Sequence, residues 1–296
     1  FFIPRQGPNA PDCLAVAWPR RPLKLRRCAF GTLNLNRASF PLGVTITDCH
    51  VLYRLSALRA RFEGRADFQG TSFPPRCGFF QLRASAGASF ESCRFEGAAT
   101  FAGATIEGYA SWRRAEVHGD LDLSAGQFGS EIDLREVIVL GQTSLREARA
   151  AAACDMGRAG LHGPLDATGL TVEGTLRADE LACGGAATFE RLRAGGDVDF
   201  SQARLAGALT LAHARIQGDM RLTRARFGAL VDAYRIEVDG PLDLTESVFF
   251  HDAVFATGRF QGMVRFNVDP VSRVRVELTQ KAAEFHGLVR FDHAVF

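Results

Sequence analysis

An uninterrupted eleven-residue repeat of apolar residues runs through most of the chain. A first series of apolar positions extends from Leu35 to Phe266, and a second series, five residues later, extends from Phe40 to Val271. Each series has 22 positions, all of them apolar, whereas apolar residues make up 47% of the 296-residue chain. Such agreement has a chance probability on the order of 10⁻¹⁴. The chain is therefore predicted to fold as one continuous repeat array and not as two globular domains.

Within each repeat, apolar and polar residues alternate over about three residues, which indicates very short β-strands. Segments such as Leu121-Asp122-Leu123 point two apolar side chains one way and the Asp the other. The five- and six-residue spacings give two faces per repeat, and two faces cannot enclose side chains. Four faces, made by two repeats or about 22 residues per coil, is the smallest closed arrangement. We therefore expect an all-β parallel β-helix of about eleven coils, stacked about 4.8 Å apart into a rod of roughly 50 Å.

Glycine and small residues occupy fixed columns of the repeat. Glycine fills 13 of the 21 positions that lie seven residues after the first series, from Gly64 to Gly262. Small residues dominate three residues after that series, as at Ala38, Cys49 and Ala104. The glycine column indicates a backbone corner that either needs a positive φ or leaves no room for a side chain.

The repeat over residues 90–108 reads F-x-x-C-x-F-x-G-x-A-x-F-x-x-A-x-I-x-G. This pattern resembles pentapeptide-repeat proteins, in an eleven-residue variant written F-x-x-A-x-F-x-G-x-A-x-F, and the resemblance covers about 240 residues. It implies a right-handed quadrilateral β-helix in which the bulky residue and the small residue two before it point inward. The standard family advances by five residues and has twenty per coil, so the extra residue leaves the shape of two corners open.

Four segments are expected from the register of the repeat. Residues 1–28 are rich in proline and arginine and are predicted to be an N-terminal arm that caps the first coil or reaches a partner. Residues 29–271 are the repeat array, and 272–284, after Pro270, are a register break or protruding loop. Residues 285–296 resume the repeat, and we expect the coil end to continue into further chain or to dock onto another subunit.

One column of arginines is the candidate interaction surface. These residues recur at multiples of the coil length and so share one face: Arg61, Arg83, Arg149, Arg193, Arg215 and Arg259. They could bind phosphate groups or an acidic protein. The alternative interpretation is a set of solvated ion pairs, because Glu63 and Glu96 lie two residues beyond Arg61 and Arg94 on the same outward side.

A column of aspartates recurs on another face. Its members are Asp67, Asp133, Asp155, Asp199 and Asp243. Asp133 and Asp155 are one coil apart, so a paired-carboxylate site is conceivable. A hydrolase on this fold would normally build a cleft from long loops, which this repeat lacks. Exposed aspartates beside turns are therefore the favoured interpretation.

Cysteine and histidine positions predict no metal or catalytic site. Five cysteines fall in inward columns and are interpreted as small buried hydrophobes: Cys49, Cys77, Cys93, Cys154 and Cys183. His118 and His162 share a column but are two coils, or about 10 Å, apart, too far to share one metal ion. Seven cysteines in all argue against a disulfide framework and for a reducing compartment. We expect no catalytic, cofactor-binding or metal-binding residues.

These patterns together predict a non-catalytic structural or protein-interaction scaffold in a bacterial cytoplasm. The resemblance implies one alternative, because some pentapeptide-repeat proteins imitate duplex DNA and occupy DNA gyrase. Such imitation needs an acidic surface, and a formal net charge of +2 argues against it and against nucleic-acid binding. A second alternative is the soluble regulatory part of a membrane-tethered protein, with the tether outside this chain, because no segment here is long and apolar enough to span a membrane.

Overall fold

The computed structural model describes residues 22–266 and 283–296, and all regular structure in them is short, parallel β-strand. The strands form four ladders, so each coil has four faces, which we number 1 to 4 in the order in which the chain visits them. Successive coils pair in register, with partners such as Arg94 and Glu116 separated by 22 residues. The predicted parallel β-solenoid, with about eleven coils of two repeats each, is confirmed.

Each face is one ladder of short parallel strands. Face 1 contains Leu23–Arg26, Val44–Thr47, Ala66–Asp67, Ala88–Ser89, Ala110–Ser111, Ile132–Asp133, Cys154–Asp155, Leu176–Arg177, Val198–Asp199, Met220–Arg221, Leu242–Asp243 and Val264–Arg265. Face 2 contains Ser72–Phe73, Arg94–Phe95, Glu116–Val117, Ile138–Val139, Gly160–Leu161, Ala182–Cys183, Arg204–Leu205, Arg226–Phe227, Val248–Phe249 and Glu284–Phe285. Face 3 contains Arg76–Gly78, Ala98–Thr100, Leu121–Asp122, Thr143–Ser144, Leu165–Asp166, Ala187–Thr188, Leu209–Thr210, Val231–Asp232, Ala253–Val254 and Val289–Arg290. Face 4 contains Ser39–Phe40, Arg61–Phe62, Arg83–Ala84, Thr105–Ile106, Gln127–Phe128, Arg149–Ala150, Thr171–Val172, Arg193–Ala194, Arg215–Ile216, Glu237–Val238 and Arg259–Phe260. Two longer strands, Ala29–Asn34 and His50–Ser56, run across faces 2 and 3 without a break between them.

The core is a column of inward side chains that continues from coil to coil. Phe68 stacks on Phe90 with ring centroids 5.1 Å apart, and Phe79 stacks on Phe101 at 4.8 Å. All four rings are fully buried. The sequence prediction that these phenylalanines are the rungs of the core is confirmed. Because every coil buries its apolar residues against the coils above and below it, the array behaves as one cooperative stack.

The corners combine two different backbone devices. The residue two positions after the first apolar series has a left-handed conformation in successive repeats, with φ of 56° at Arg114 and 58° at Glu136. The glycine column has ordinary φ, and glycine is needed there for space: a Cβ on Gly207 would lie 2.4 Å from the carbonyl of Gly185 in the preceding coil. The glycine column therefore reflects close coil-to-coil contact and not a positive φ.

The ladder departs from the regular step at both ends of the described part. Leu23–Arg26 pairs with Val44–Thr47, so this step is one residue shorter than the regular one. Val248–Phe249 pairs with Glu284–Phe285 across a longer stretch of chain, part of which the structure does not describe. Residues 1–21 and 267–282 lie outside the described part, so the predicted arm and the predicted register break stay predictions for those residues.

Candidate functional site

The six predicted arginines all lie on face 4, each one residue before an inward side chain. All of them are exposed: Arg61, Arg83, Arg149, Arg193, Arg215 and Arg259. We call this set the arginine row. Arg61 and Arg83 are register neighbours in adjacent coils, and so are Arg193 and Arg215. Adjacent coils are about 4.8 Å apart, so each doublet places two like charges side by side.

Most of the arginine row has no acidic partner. Arg215 forms an ion pair with Glu237, with Nε 3.2 Å from Oε2. The other five make no ion pair within 4.0 Å among the described residues of the chain. The predicted pair between Arg61 and Glu63 is one of those that do not form. The row is therefore a set of guanidinium groups that the fold leaves open to a partner.

Several arginines elsewhere on the solenoid do form ion pairs. A ladder of ion pairs follows the corner between faces 1 and 2, where the backbone has positive φ. It comprises Arg114–Glu136 at 2.9 Å, Arg158–Glu180 at 3.1 Å and Arg224–Glu246 at 2.8 Å. This ladder was not among the sequence predictions. The signal that reveals it is the position two residues after the first apolar series, where arginine and glutamate alternate from one coil to the next.

A second network occupies face 2, opposite the arginine row. Nε of Arg94 lies 2.7 Å from Oε1 of Glu96, and Nη1 of Arg94 lies 3.2 Å from Oε2 of Glu116. Nδ1 of His118 lies 3.5 Å from Oε2 of Glu96. A hydrogen bond from Arg94 holds the pKa of Glu96 below its ordinary value. The ion pair predicted for Arg94 is thus confirmed. Face 2 also carries a doublet of register neighbours, Arg204 and Arg226, that makes no ion pair with the described residues.

Face 4 carries acidic residues as well as arginines. Most of these acidic residues lie in a second outward column, two residues after the position of the arginine row in each coil. These acidic residues are Glu63, Glu107, Glu173, Glu237 and Asp239. Beside Arg149, the second column carries the small residues Gly129 and Ala151, and they leave an open depression of about 310 Å³. Glu107 and Glu173 border this depression, and Phe128 lines it. The face therefore presents separate positive groups around an apolar hollow and not a uniform positive surface.

The aspartate column lies on face 1, and its main role is to close turns. Oδ1 of each aspartate accepts a hydrogen bond from the backbone N–H two residues further on, for example Asp155 from Gly157 at 2.9 Å and Asp199 from Ser201 at 2.7 Å. This is a standard turn-stabilising arrangement for Asp. The prediction that these residues are exposed is wrong for Asp133 and Asp155, which are buried.

Asp133 is buried because its neighbours cover it and hydrogen-bond to it. Arg135 donates from Nε at 2.9 Å and from Nη2 at 2.7 Å, and the hydroxyl of Tyr109 in the preceding coil donates a further hydrogen bond. Burial opposes the charged form, but the hydrogen bonds from Arg135 and Tyr109 outweigh it and lower the pKa of Asp133. Asp133 pairs in register with Asp155, but its oxygens are already engaged. The pair thus has the environment of a structural ion-pair cluster and not of a paired acid and base.

The predicted inward cysteines are buried. Cys49, Cys77, Cys93, Cys154 and Cys183 lie in the core, and each has a free thiol. In the part of the chain that the structure describes, no cluster of three His, Cys, Asp or Glu side chains has the arrangement to hold a metal ion. Within residues 22–266 and 283–296, no helix is long and apolar enough to cross a membrane.

No protein-family model matches the sequence, and a search of curated proteins finds no match. The class of protein is the one that the fold defines: a parallel β-solenoid whose coils each contain two repeats. This architecture is typically non-enzymatic, fits a rigid scaffold and is consistent with a pentapeptide-repeat protein.

Proposed function

We propose that this protein is a non-catalytic scaffold of the pentapeptide-repeat type, and that its arginine row binds an acidic partner protein. The single observation that supports this most is the unpaired state of the row. Five of its six guanidinium groups, spread along one face, have no ion pair among the described residues, whereas Arg94, Arg114 and Arg158 on other parts of the surface are paired. The unpaired doublet Arg204–Arg226 on face 2 is shorter and serves as the control below. Leaving register-neighbour arginines unpaired costs free energy in the free protein, and a carboxylate across an interface removes that cost.

The distribution of charge on face 4 favours a protein partner over a nucleic acid. Five acidic side chains share the face with six arginines. A phosphate backbone presents negative charge at every step and would meet those acids as well as the arginines. A protein can instead place separate carboxylates against the doublets Arg61–Arg83 and Arg193–Arg215, and an apolar side chain against the hollow near Phe128.

Imitation of DNA receives no support from the described faces. The outward column of face 1 has the most aspartates, but Arg177, Arg221 and Arg265 interrupt it. A DNA-like surface needs continuous negative charge, so inhibition of a topoisomerase is the weaker proposal. The free thiols of the described cysteines fit a reducing compartment, and with the resemblance to pentapeptide-repeat proteins we propose the bacterial cytoplasm.

The test compares two doublets that differ mainly in the face they occupy. In the first variant, Arg61→Glu and Arg83→Glu reverse the charge of an unpaired doublet on face 4. In the matched control, Arg204→Glu and Arg226→Glu reverse the doublet at the same strand position on face 2. Both variants change the net charge equally. The partner is captured from the native source with the intact chain, purified, and titrated against all three proteins.

We expect the face 4 variant to bind at least about tenfold more weakly, since two charge-assisted contacts become repulsive. The control should stay within about twofold of the intact chain. Higher salt should weaken the intact complex. Equal weakening by both variants, or none by the face 4 variant, would contradict the proposal.

A further inference from the structure

Two cysteines occupy equivalent places in consecutive coils at the corner between faces 1 and 2. The strand residues on either side define the register: Arg26 pairs with Thr47, and Ala29 pairs with His50, both at the same offset along the chain. Cys28 and Cys49 share that offset, so they are stacked neighbours. Consecutive coils are about 4.8 Å apart, which lies within the Cα separation of about 4.4 to 6.8 Å that disulfides require.

The thiols of the two residues lie on the same side of the stack. Sγ of Cys28 donates a hydrogen bond to the carbonyl of Arg26 at 3.3 Å, and Sγ of Cys49 donates to the equivalent carbonyl, that of Thr47, at 3.2 Å. Sγ of Cys49 also accepts a hydrogen bond from the backbone N–H of Cys28 at 3.4 Å. The sulfur of Cys49 is therefore already in contact with the residue to which it would be joined.

No other two described cysteines are register neighbours in consecutive coils. The coil-to-coil neighbours of Cys77 are Leu55 and Ala99, those of Cys154 are Ile132 and Leu176, and those of Cys183 are Leu161 and Leu205. Cys93 lies in the column of Cys49, but Thr71 separates the two. Cys28 is also the one half-buried cysteine among the described six, and the others are buried.

We propose that Cys28 and Cys49 form a reversible disulfide when the protein meets a hydroperoxide, and that this bond fastens the first described coil to the second. The proposal is independent of the arginine row. Cys28, the accessible thiol, reacts first: its thiolate attacks the O–O bond of hydrogen peroxide, giving a sulfenic acid and releasing hydroxide, which takes the thiol proton to become water. The sulfur of Cys49 then attacks the sulfenic sulfur. The S–S bond forms, the S–O bond breaks, and a second water leaves with the proton of Cys49. Two electrons pass from the thiols to the peroxide. Two molecules of a small thiol later reduce the disulfide to the two cysteines and leave joined as their own disulfide.

Burial raises the pKa of the Cys49 thiol and hides it from solvent, so Cys49 is not the thiol that reacts first with peroxide. The disulfide would close a short loop between coils that are otherwise held by the ladder pairing of Leu23–Arg26 with Val44–Thr47. A covalent bond there restrains local opening of the first coil. Oxidation would thus stiffen one end of the described solenoid and leave faces 3 and 4 of the later coils unchanged.

The test is peptide mapping of the full chain after treatment with hydrogen peroxide. Trypsin places Cys28 in peptide 28–37 and Cys49 in peptide 38–54, while Cys13 falls in a separate peptide. We expect these two peptides to become joined with the loss of two hydrogen atoms, and to separate again after reduction. Amide hydrogen exchange in residues 23–34 should slow about tenfold or more in the oxidised protein.

Two variants make the outcome decisive. Cys28→Ser should abolish the linked peptide and the slower exchange, while Cys93→Ser, a change in the same column two coils from Cys49, should leave both intact. Failure to link the peptides in a folded protein would overturn the proposal. So would a disulfide from Cys28 to Cys13 or to another molecule, or over-oxidation of Cys28 without linkage to Cys49.

Discussion

Replacement of Phe101 by alanine tests the inward column at its most densely packed point. The Phe101 ring is fully buried and stacks on Phe79 at 4.8 Å. It also meets Phe90 at 4.7 Å and Trp112 at 4.9 Å in edge-to-face contacts. Truncation of a buried Phe costs about 3 to 5 kcal/mol. Each aromatic pair contributes about 0.5 to 1.5 kcal/mol beyond area. Because these costs overlap, we expect Phe101→Ala to lower the free energy of unfolding by about 4 kcal/mol.

The assay is equilibrium unfolding in urea, followed by far-ultraviolet circular dichroism and by the fluorescence of Trp112, which contacts the substituted site. The matched control is Phe80→Ala, since Phe80 directly follows Phe79, the residue on which Phe101 stacks, and is 41% exposed. The control should cost less than about 1 kcal/mol. Hydrogen exchange should show the added opening concentrated in the coils around residues 90–112, because each coil contacts only its neighbours. A loss below about 1 kcal/mol for Phe101→Ala, or equal losses in both variants, would refute the inward assignment.

Two further predictions concern the corners and the buried ion pair. Gly207→Ala should lower the free energy of unfolding by about 1 to 3 kcal/mol, because the new Cβ would lie 2.4 Å from the backbone of the preceding coil. The control Gly78→Ala should be nearly neutral, because the atom nearest to its Cβ would be 3.7 Å away. Equal urea midpoints for the two variants would contradict this. Asp133→Asn should cost about 2 kcal/mol at neutral pH, because it weakens the hydrogen bonds from Arg135. The folded-state pKa of Asp133 lies below its ordinary value, so this stabilisation is present above about pH 4 and is lost as the pH falls through the folded-state pKa. Melting curves that show a constant difference from pH 7 to pH 3 would contradict the assignment.

The inward half of the molecule was predictable from sequence because a closed solenoid imposes one rule on every coil. Phe79 and Phe101 occupy the same position in consecutive coils and had to stack once each coil was taken to contain two repeats. The predicted glycine column was also right, although its cause is close approach at residues such as Gly207 and not a positive φ.

The outward half was harder to predict because it depends on side-chain conformations across coils. Arg61 and Arg94 have the same sequence relation to a glutamate two residues on, yet only Arg94 is paired, and its neighbour Glu116 in the next coil strengthens that pairing. The burial of Asp133 depends on Tyr109 from the preceding coil, which no local pattern reveals. The positive φ at Arg114 was missed because that corner carries charged residues in place of glycine or asparagine.

The most direct test of the proposed function is to move half of the arginine row to another face without changing any of its residues. Each coil contains two equivalent repeats, so deletion of residues 176–186, a single repeat, should preserve the core but shift each later strand by two faces. Arg193, Arg215 and Arg259 would then lie on face 2, opposite Arg61 and Arg83. The same shift would carry Arg204 and Arg226 from face 2 into the former places of Arg193 and Arg215 on face 4, so Arg204→Ser and Arg226→Ser are added to both deletion variants. Deletion of residues 165–186 removes one whole coil, joins register-equivalent positions and keeps every arginine of the row on face 4.

Both deletion variants are first checked for cooperative thermal unfolding and then titrated with the partner captured by the intact chain. We expect the whole-coil deletion to bind within a few-fold of the intact chain. We expect the single-repeat deletion to bind at least about tenfold more weakly, because half of the arginine row no longer faces the partner. Equal binding by two folded variants would contradict the claim that the row on face 4 is the interaction surface.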